Sequence, residues 1–484
     1  MSGSHTIGRM LRDRARATPQ RVAIDFHDGL TTYAELDGAS ERLAASFLER
    51  GLARGDRVAT LAANCPENIV VFFACAKAGL VLLPLNWRLA PPELAYQLED
   101  AEPALFLVQA AQGSTADAVG HPYEPLAPEA PAAEVRDAEV GDDDPLLLVY
   151  TSGTTGKPKG ALLTHANCFW TNLGFDLASG VSGDDVVLQV LPQFHVGGWN
   201  VQTLLAWWKG ATVVLEQAFD PARCLELVAA KRLTTLMGVP AMYLFMAQDP
   251  AFERADLSSL RLAIVGGAPM PEALLETWQR RGIEIVQGYG LTEAAPNVLC
   301  LPPEEAVRKQ GFAGRPYPFV DVRLSADGEL LVKGPNVFAG YWRNEEATRE
   351  AFTDDGWLRT GDIAECDAEG FYRIKGRLKD MYISGGENVY PAEVEFVLCE
   401  HEAVADAAVV GVPDESWGEA GVAFVVLADG AGASEGELLE HCLVRLAKYK
   451  VPRAVRFVDR LPRSAMNKVL KSELVAELDR EVGV

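Results

Sequence analysis

Residues 150–160 read YTSGTTGKPKG, with glycines at 153, 156 and 160, hydroxyls on Thr151, Ser152, Thr154 and Thr155, and lysines at 157 and 159. An apolar LLLV run at 146–149 leads into this segment and ALLTH follows it at 161–165. The pattern predicts a strand, a loop too small to fill its own space, and a second short apolar run. Glycines let backbone N–H groups approach an anion, hydroxyls add donors and lysines add charge, so the chemistry that suits the loop is holding phosphate. Its spacing is not that of the nucleotidase phosphate loop. Gly153, Gly156 and Lys157 give G-x-x-G-K, and Pro158 stands where that loop needs a metal-binding hydroxyl. The plain alternative is a solvated Gly/Thr turn, against which the density of donors between two apolar runs argues.

Four more segments carry candidate chemistry. QGYGLTE at 287–293 brackets Tyr289 with Gly288 and Gly290, so the ring can lie flat on a purine while the backbone stays close. Thr292 offers a donor to phosphate and Glu293 an oxygen ligand for Mg²⁺. The competing reading is a Gly-rich turn with a core tyrosine. RTGDI at 359–363 presents Asp362, whose one carboxylate can accept both vicinal hydroxyls of a ribose, with Arg377 in GRLKD as a second contact. Alone, Thr-Gly-Asp is more often a turn. LPRSAMNKVLK at 461–471 carries Lys468, and LPQFHVGGW at 191–199 carries His195. Taken singly, these read as a solvated lysine and a satisfied core histidine.

In their order along the chain these five segments resemble the signature motifs of adenylate-forming enzymes: acyl-CoA synthetases, adenylation domains of peptide synthetases, and luciferases. The match covers essentially the whole chain, with Asn467 where many members have glycine. The resemblance implies an ATP site made of Thr151, Ser152, Gly153, Thr154, Thr155, Gly156, Lys157 and Lys159 on the phosphates. Gly267, Ala268, Gly288, Tyr289 and Gly290 would surround the adenine, with Thr292 on phosphate and Asp362 and Arg377 on the ribose. Mg²⁺ would sit on Glu293 and Thr155. Lys468 would stabilise the charge that builds up between the carboxylate and the α-phosphate, with His195, Thr292 and Glu293 as further catalytic groups.

The same resemblance implies rotation of a small domain about Lys379, withdrawing Lys468 and bringing Ser384, Gly385, Gly386 and Glu387 to a pantetheine channel. Trp417, Tyr449, Lys450 and Arg453 match positions that contact CoA in relatives. The acyl pocket would be lined by Phe194, His195, Val196, Gly198, Trp199, Tyr243, Gly267 and Ala295. Trp199 resembles the aromatic that closes the acyl tunnel in some fatty-acid ligases. Peptide-synthetase domains usually lack the histidine at 195, which tilts the reading to acyl-CoA formation. The pocket candidates carry no charge, which argues against a dicarboxylate and for a medium- or long-chain aliphatic acid or a flat aromatic one, the aliphatic being preferred by a small margin. The alternatives are a stand-alone adenylation enzyme that loads a carrier protein, and a luciferase-like oxygenase.

These groups need a scaffold, and the chain spells one out. VAIDFHDGLTTYAEL at 22–36 signals a hairpin at Asp28-Gly29. Strand and helix patterns then alternate, and LRLAIVGG, PEALLETWQRR and IEIVQGYG form a strand–helix–strand unit whose loops GGAPM and GYGLTE fall at strand ends, where ligands of parallel sheets gather. Residues 111–145 read as a surface connector. After 376 the pattern becomes a compact α+β unit whose last helix opens with the capping box Ser434/Glu437. The expected fold is α/β. A large N-terminal domain, 1–378, would hold mostly parallel sheets flanked by helices plus a distorted β-barrel, and a small mobile α+β lid would span 379–484.

Composition narrows the class. The 484 residues allow a sizeable core, and 68 acidic against 44 basic residues give a net charge of −24, which argues against a nucleic-acid partner. Eight cysteines without a C-x-x-C pair fit neither a zinc site nor a disulfide framework and suggest a reducing compartment. The N-terminus lacks the apolar core of a secretory signal, and Ile69 to Leu85, interrupted by Lys77 and Gly79, reads as a buried helix and strand rather than a membrane span. A cytoplasmic enzyme is expected, with a carboxylic acid, ATP, Mg²⁺ and CoA as its ligands; a homodimer is compatible with this reading.

Overall fold

The structure is a computed structural model that describes residues 4–126, 139–151, 158–384, 387–414, 417–463 and 469–482. The chain divides into two compact units. The first holds Met1–Met270, Leu274–Val322 and Val332–Leu358, and the second Pro271–Ala273, Arg323–Leu331 and Arg359–Val484.

Two sheets organise the first unit. A nine-stranded sheet runs in the order Arg315–Pro316, Asn297–Cys300, Ile285–Gly290, Leu262–Val265, Thr235–Gly238, Val186–Gln189, Thr212–Leu215, Val22–Phe26, Gly29–Thr32. Its central strands are parallel, and only the pairs at its two edges are antiparallel. A seven-stranded sheet runs Gly340–Tyr341, Lys159–Thr164, Pro145–Thr151, Val81–Leu85, Arg57–Leu61, Leu105–Val108, Glu124–Pro125. The strand–helix–strand unit is present as Leu262–Val265, helix Glu272–Arg280 and the parallel strand Ile285–Gly290. Parallel strands of this kind are buried on both faces, which is why LAIV is apolar throughout and TLMG carries one polar residue, the buried Thr235.

Local readings differ in detail. The first hairpin turns at His27 and Asp28, both at positive φ (48° and 64°), and Gly29 begins the return strand. Two left-handed residues match a mirror-image two-residue turn, which twists with its strands. The apolar run at 69–85 becomes helix Pro66–Ala78 and strand Val81–Leu85. Lys77, buried within it, is held by Asp37 at 2.5 Å to Oδ1 and 2.8 Å to the backbone oxygen. Burial lowers the pKa of Lys77, and the Asp37 carboxylate opposes that shift. Among the described residues no helix is long and apolar enough to cross a membrane. The connector expected at 111–145 contains helix Gly113–Val119 and strand Glu124–Pro125 in its described part. All eight cysteines are unpaired.

In the second unit, the antiparallel strands Leu358–Cys366 and Tyr372–Arg377 end a four-stranded sheet. The C-terminal part packs helices Pro391–Cys399 and Glu435–Arg445 against strands Val404–Asp414, Gly418–Leu427 and Ala454–Phe457 around Val394, Leu398, Val409, Ala423, Val425 and Leu438. The Ser434/Glu437 capping box forms as the sequence predicts.

Candidate active site

Thr151 and Lys159, which flank the segment expected to hold phosphate, are paired across adjacent antiparallel strands. Ser152, Gly153, Thr154, Thr155, Gly156 and Lys157 lie outside the described residues, as do Gly385, Gly386 and Lys468. What surrounds the loop's two ends is described. Glu293 sits in the short turn Thr292–Ala294 that follows strand Ile285–Gly290. Its Oε1 accepts hydrogen bonds from the Tyr341 hydroxyl at 2.8 Å and the Thr151 hydroxyl at 3.5 Å. The Lys159 ammonium stands 5.4 Å above the Tyr341 ring. Burial, with the Glu293 charge second, raises the Tyr341 pKa, so the phenol stays protonated and donates.

A carboxylate beside a hydroxyl offers oxygens of the kind that suit Mg²⁺ shared with phosphate, since Mg²⁺ is usually bound by one or two carboxylates plus the substrate's phosphates, while the lysine can face only the phosphates. Among the described residues no cluster of three His, Cys, Asp or Glu forms a self-sufficient metal cage. Strand Gly340–Tyr341 pairs with Leu162 and Ala161, which carries Tyr341 to this corner. Tyr341 was not singled out from sequence, where GYW holds no spacing signal.

The loop 191–199 carries His195 and is fixed by buried amides. Asn64 donates to Leu191 O (3.0 Å) and Glu216 O (3.2 Å) and accepts from Gln193 N (2.9 Å). Asn68 donates to Gln193 Oε1 at 3.0 Å, and Gln189 donates to Leu191 O and Gly198 O at 2.8 and 3.0 Å. Gly198 is required, because a Cβ there would lie 2.4 Å from Pro192 O. His195 Nδ1 accepts from Gly197 N at 3.1 Å, which in the neutral ring leaves the proton on Nε2. Arg88 lies 5.7 Å over the Phe194 ring.

Trp199 is fully buried, stacked on Phe72 at 4.4 Å and 16°, and its Nε1 donates to Gln193 O at 2.7 Å. It is a fixed wall. Tyr243 is also enclosed, donating to Ile264 O at 2.8 Å and packing edge-on to Trp278. Val196 and Ala295 are buried, and Gly267 adopts φ 82° at the end of its strand. Asn64, Asn68 and Gln189 were missed from sequence, although two asparagines four apart, between a strand and the first turn of the next helix in an otherwise apolar stretch, are a usable signal.

The second unit brings together Asp362 and Arg377, cross-strand partners with Nε 3.2 Å from Oδ1. Asp362 is buried while Arg377 is exposed. Lys379 lies exposed in the turn Leu378–Asp380. Ser384 pairs with Glu387 and Gly418, and Trp417, 37% exposed, adjoins them. Lys450 is paired with Glu393 at 2.7 and 2.8 Å and stands 5.8 Å over Tyr449; Arg453 donates to Pro413 O at 3.2 Å. Both cations therefore arrive with protein partners.

In the first unit the Thr151/Lys159 strand pair lies beside the Glu293 carboxylate and buried amides clamp the histidine segment; in the second, Asp362 is paired with Arg377. Comparison with known proteins names the family. Residues 11–342 match the AMP-binding enzyme family, and residues 393–468 match the AMP-binding enzyme C-terminal domain. A feruloyl-CoA synthase of Amycolatopsis sp. is 44% identical over 95% of this chain and 96% of its own. The long-chain-fatty-acid–CoA ligase FadD13 of Mycobacterium tuberculosis is 40% identical over 97% of both. Among solved structures, ATP-bound MatB from Rhodopseudomonas palustris superposes with a TM-score of 0.90 at 33% identity over 100% of both chains. The chain belongs to the AMP-binding enzyme family, in its acyl-CoA synthetase branch. It is an AMP-forming acid–thiol ligase that activates a carboxylic acid with ATP as the acyl-adenylate and passes the acyl group to CoA.

Proposed function

We propose that the acid is a compact, aryl-bearing carboxylate rather than a long aliphatic chain. The observation that carries this is the fixed Trp199. A tunnel for a long chain needs an aromatic gate that can move, whereas Trp199 is stacked on Phe72 and hydrogen-bonded to Gln193 O. Behind it Phe72, Phe73 and Trp207 are fully buried and packed ring to ring. Such aromatic packing resists opening, each pair adding about 0.5–1.5 kcal/mol beyond burial. The glycine surfaces at 267 and 288 offer flat backbone on which a planar ring can lie. The similarity to feruloyl-CoA synthase supports the reading without deciding it.

For the chemistry, the carboxylate oxygen attacks the α-phosphorus of ATP and pyrophosphate leaves. Thr151 and Lys159, with Ser152, Thr154 and Thr155, hold the β,γ-phosphates; Tyr289 covers the adenine and Asp362 the ribose. Glu293 and Thr155 would hold Mg²⁺, which neutralises phosphate charge. Lys468 steadies the charge between carboxylate and α-phosphate, and the protein's contribution is alignment and electrostatics rather than a covalent intermediate. Rotation about Lys379, separating 1–378 from 379–484, then presents the Ser384–Glu387 segment with Trp417, Tyr449, Lys450 and Arg453 to the thiol. His195 lines the path along which the thiol reaches the adenylate carbonyl.

An acid panel tests the reading: pyrophosphate release with and without CoA, for aryl-alkenoic, aryl-acetic and C8–C18 aliphatic acids. CoA-dependent turnover that is highest for the aryl acids supports it. A maximum at long aliphatic chains contradicts the acyl assignment, and adenylate formation that ignores CoA favours a carrier-protein thiol. A cytoplasmic location and a homodimer belong to the same proposal; the eight unpaired cysteines support the first, and sedimentation tests the second.

A further inference from the structure

Gly411 and Gly421 face each other across the antiparallel strands Val404–Asp414 and Gly418–Leu427. Neither has a positive φ, so backbone conformation does not call for glycine at either place. Space does. A Cβ on Gly411 would stand 2.6 Å from Tyr382 Cγ, and one on Gly421 would stand 3.1 Å from Tyr382 Cζ and overlap its hydroxyl. The phenol ring therefore lies along the cross-strand pair, in a slot that two glycines keep open at the expense of strand stability. Tyr382 is 2% exposed there and packs in the cluster of Val389, Val394, Val409 and Val425. Its buried hydroxyl hydrogen-bonds nothing among the described residues, so the shape of the ring seats it rather than a polar contact.

The slot holds the base of a short segment. Tyr382 opens the three-residue strand Tyr382–Ser384, three positions after Lys379 and two before Ser384. That strand also meets Gly418–Leu427 through the pairing of Ser384 with Gly418, and through Ile383 N, which donates to Glu419 Oε2 at 2.7 Å. The second of these is exposed to water and adds little to local stability. Strand Glu387–Val389 turns back at the edge of the sheet and pairs with Tyr382–Ser384. A hairpin fastened this sparsely points where its buried side chain fixes it.

We propose that Tyr382, seated on Gly411 and Gly421, is a positioning residue for thioester formation. It fixes the Ser384–Glu387 segment to the C-terminal fold, so that the segment meets the thiol in one orientation when the small domain turns. The inference rests on the assignment of that segment to the thiol's path and deepens it. On that reading adenylation does not use the segment and so does not use the slot. Lys468 lies in the same 379–484 stretch of chain, and a general loosening of that stretch would lower adenylation as well.

The test compares pyrophosphate release from acid plus ATP with acyl-CoA formation from preformed acyl-adenylate plus CoA. Gly421→Ala pushes its methyl against the Tyr382 hydroxyl. It should lower kcat/KM for CoA by about 10-fold to 100-fold, as for a misplacement on the order of 1 Å, while adenylation stays within about twofold of wild type. Adding Tyr382→Phe removes the oxygen that the methyl meets, and should bring the double variant to within about threefold of Tyr382→Phe alone. Tyr382→Leu, which empties the slot without adding bulk, should repeat the selective loss, and it decides alone if Gly421→Ala does not fold. Wild-type behaviour of either variant, equal losses in both assays, or no rescue by Tyr382→Phe overturns the proposal; so does failure of both variants to fold, which leaves the ring a role in stability only. Gly386→Trp puts bulk into the expected channel and is the control on the underlying reading. Unimpaired thioester formation in Gly386→Trp brings down the channel assignment itself, whereas a block there beside an unaffected Gly421→Ala brings down only the slot.

Discussion

Tyr341 donates a 2.8 Å hydrogen bond to Glu293 Oε1, and the Lys159 ammonium stands over the same ring. One phenol thus contacts both the carboxylate proposed to hold Mg²⁺ and the lysine proposed to face phosphate. Hydrogen bonds to charged groups are worth about 1.5–3 kcal/mol. Tyr341→Phe is therefore expected to lower adenylation by about 10-fold to 100-fold. It should also raise the Mg²⁺ concentration needed for half-maximal ATP binding by calorimetry. An unaltered Mg²⁺ dependence would show that Glu293 holds its orientation without the phenol.

The Asn64 amide secures the histidine loop through two hydrogen bonds, to Leu191 O and Gln193 N, and ties it to Glu216 O through a third. Asn64→Ala leaves those groups buried and unpaired, at a cost of about 1–3 kcal/mol each before relaxation. The expected outcome is a urea midpoint shifted down by a few kcal/mol equivalent and a larger fall in kcat than in acid KM. Asn64→Asp, keeping one acceptor, should recover part of the stability. Unchanged stability in Asn64→Ala would mean that the loop is held elsewhere.

How much was legible in the chain follows from the range of the contacts. Motif loops, the strand–helix–strand unit at 262–290 and the C-terminal α+β unit rest on local patterns and turn chemistry, and they were readable. Tyr341 is 48 positions from Glu293 and meets it only because Gly340–Tyr341 pairs with Ala161 and Leu162. Asn64 is 129 positions from Gln193. Neither pairing has a local signature. The turn at His27–Asp28 was displaced by one residue because Asp-Gly attracts the turn assignment while the pairing of Phe26 with Gly29 fixes the register.

Acid sensitivity has one identifiable source in the buried His165, whose Nδ1 accepts from Ile7 N at 3.1 Å. Burial pulls its pKa down to about 4, against the opposing pull of Asp144 and Asp142. An unfolded histidine titrates near about 6.5. Between these values the unfolded chain binds more protons than the folded one, so the contribution is complete above about pH 6.5 and is lost as pH falls towards about 4. The loss is on the order of 3 kcal/mol. His165→Asn, which retains an acceptor for Ile7, should flatten unfolding free energy between pH 7 and pH 5 in urea titrations. An unchanged slope would assign the sensitivity to carboxylates.

The central claim is that one chain performs two separable half-reactions, adenylation through Lys468 and thioester formation without it. The direct measurement supplies Lys468→Ala with acid plus ATP in one assay, and with preformed acyl-adenylate plus CoA in another. Adenylate formation should fall by about a thousandfold, as for removal of a group that stabilises transition-state charge, while acyl-CoA formation from the adenylate stays within a fewfold of wild type. Equal loss in both assays would contradict the account.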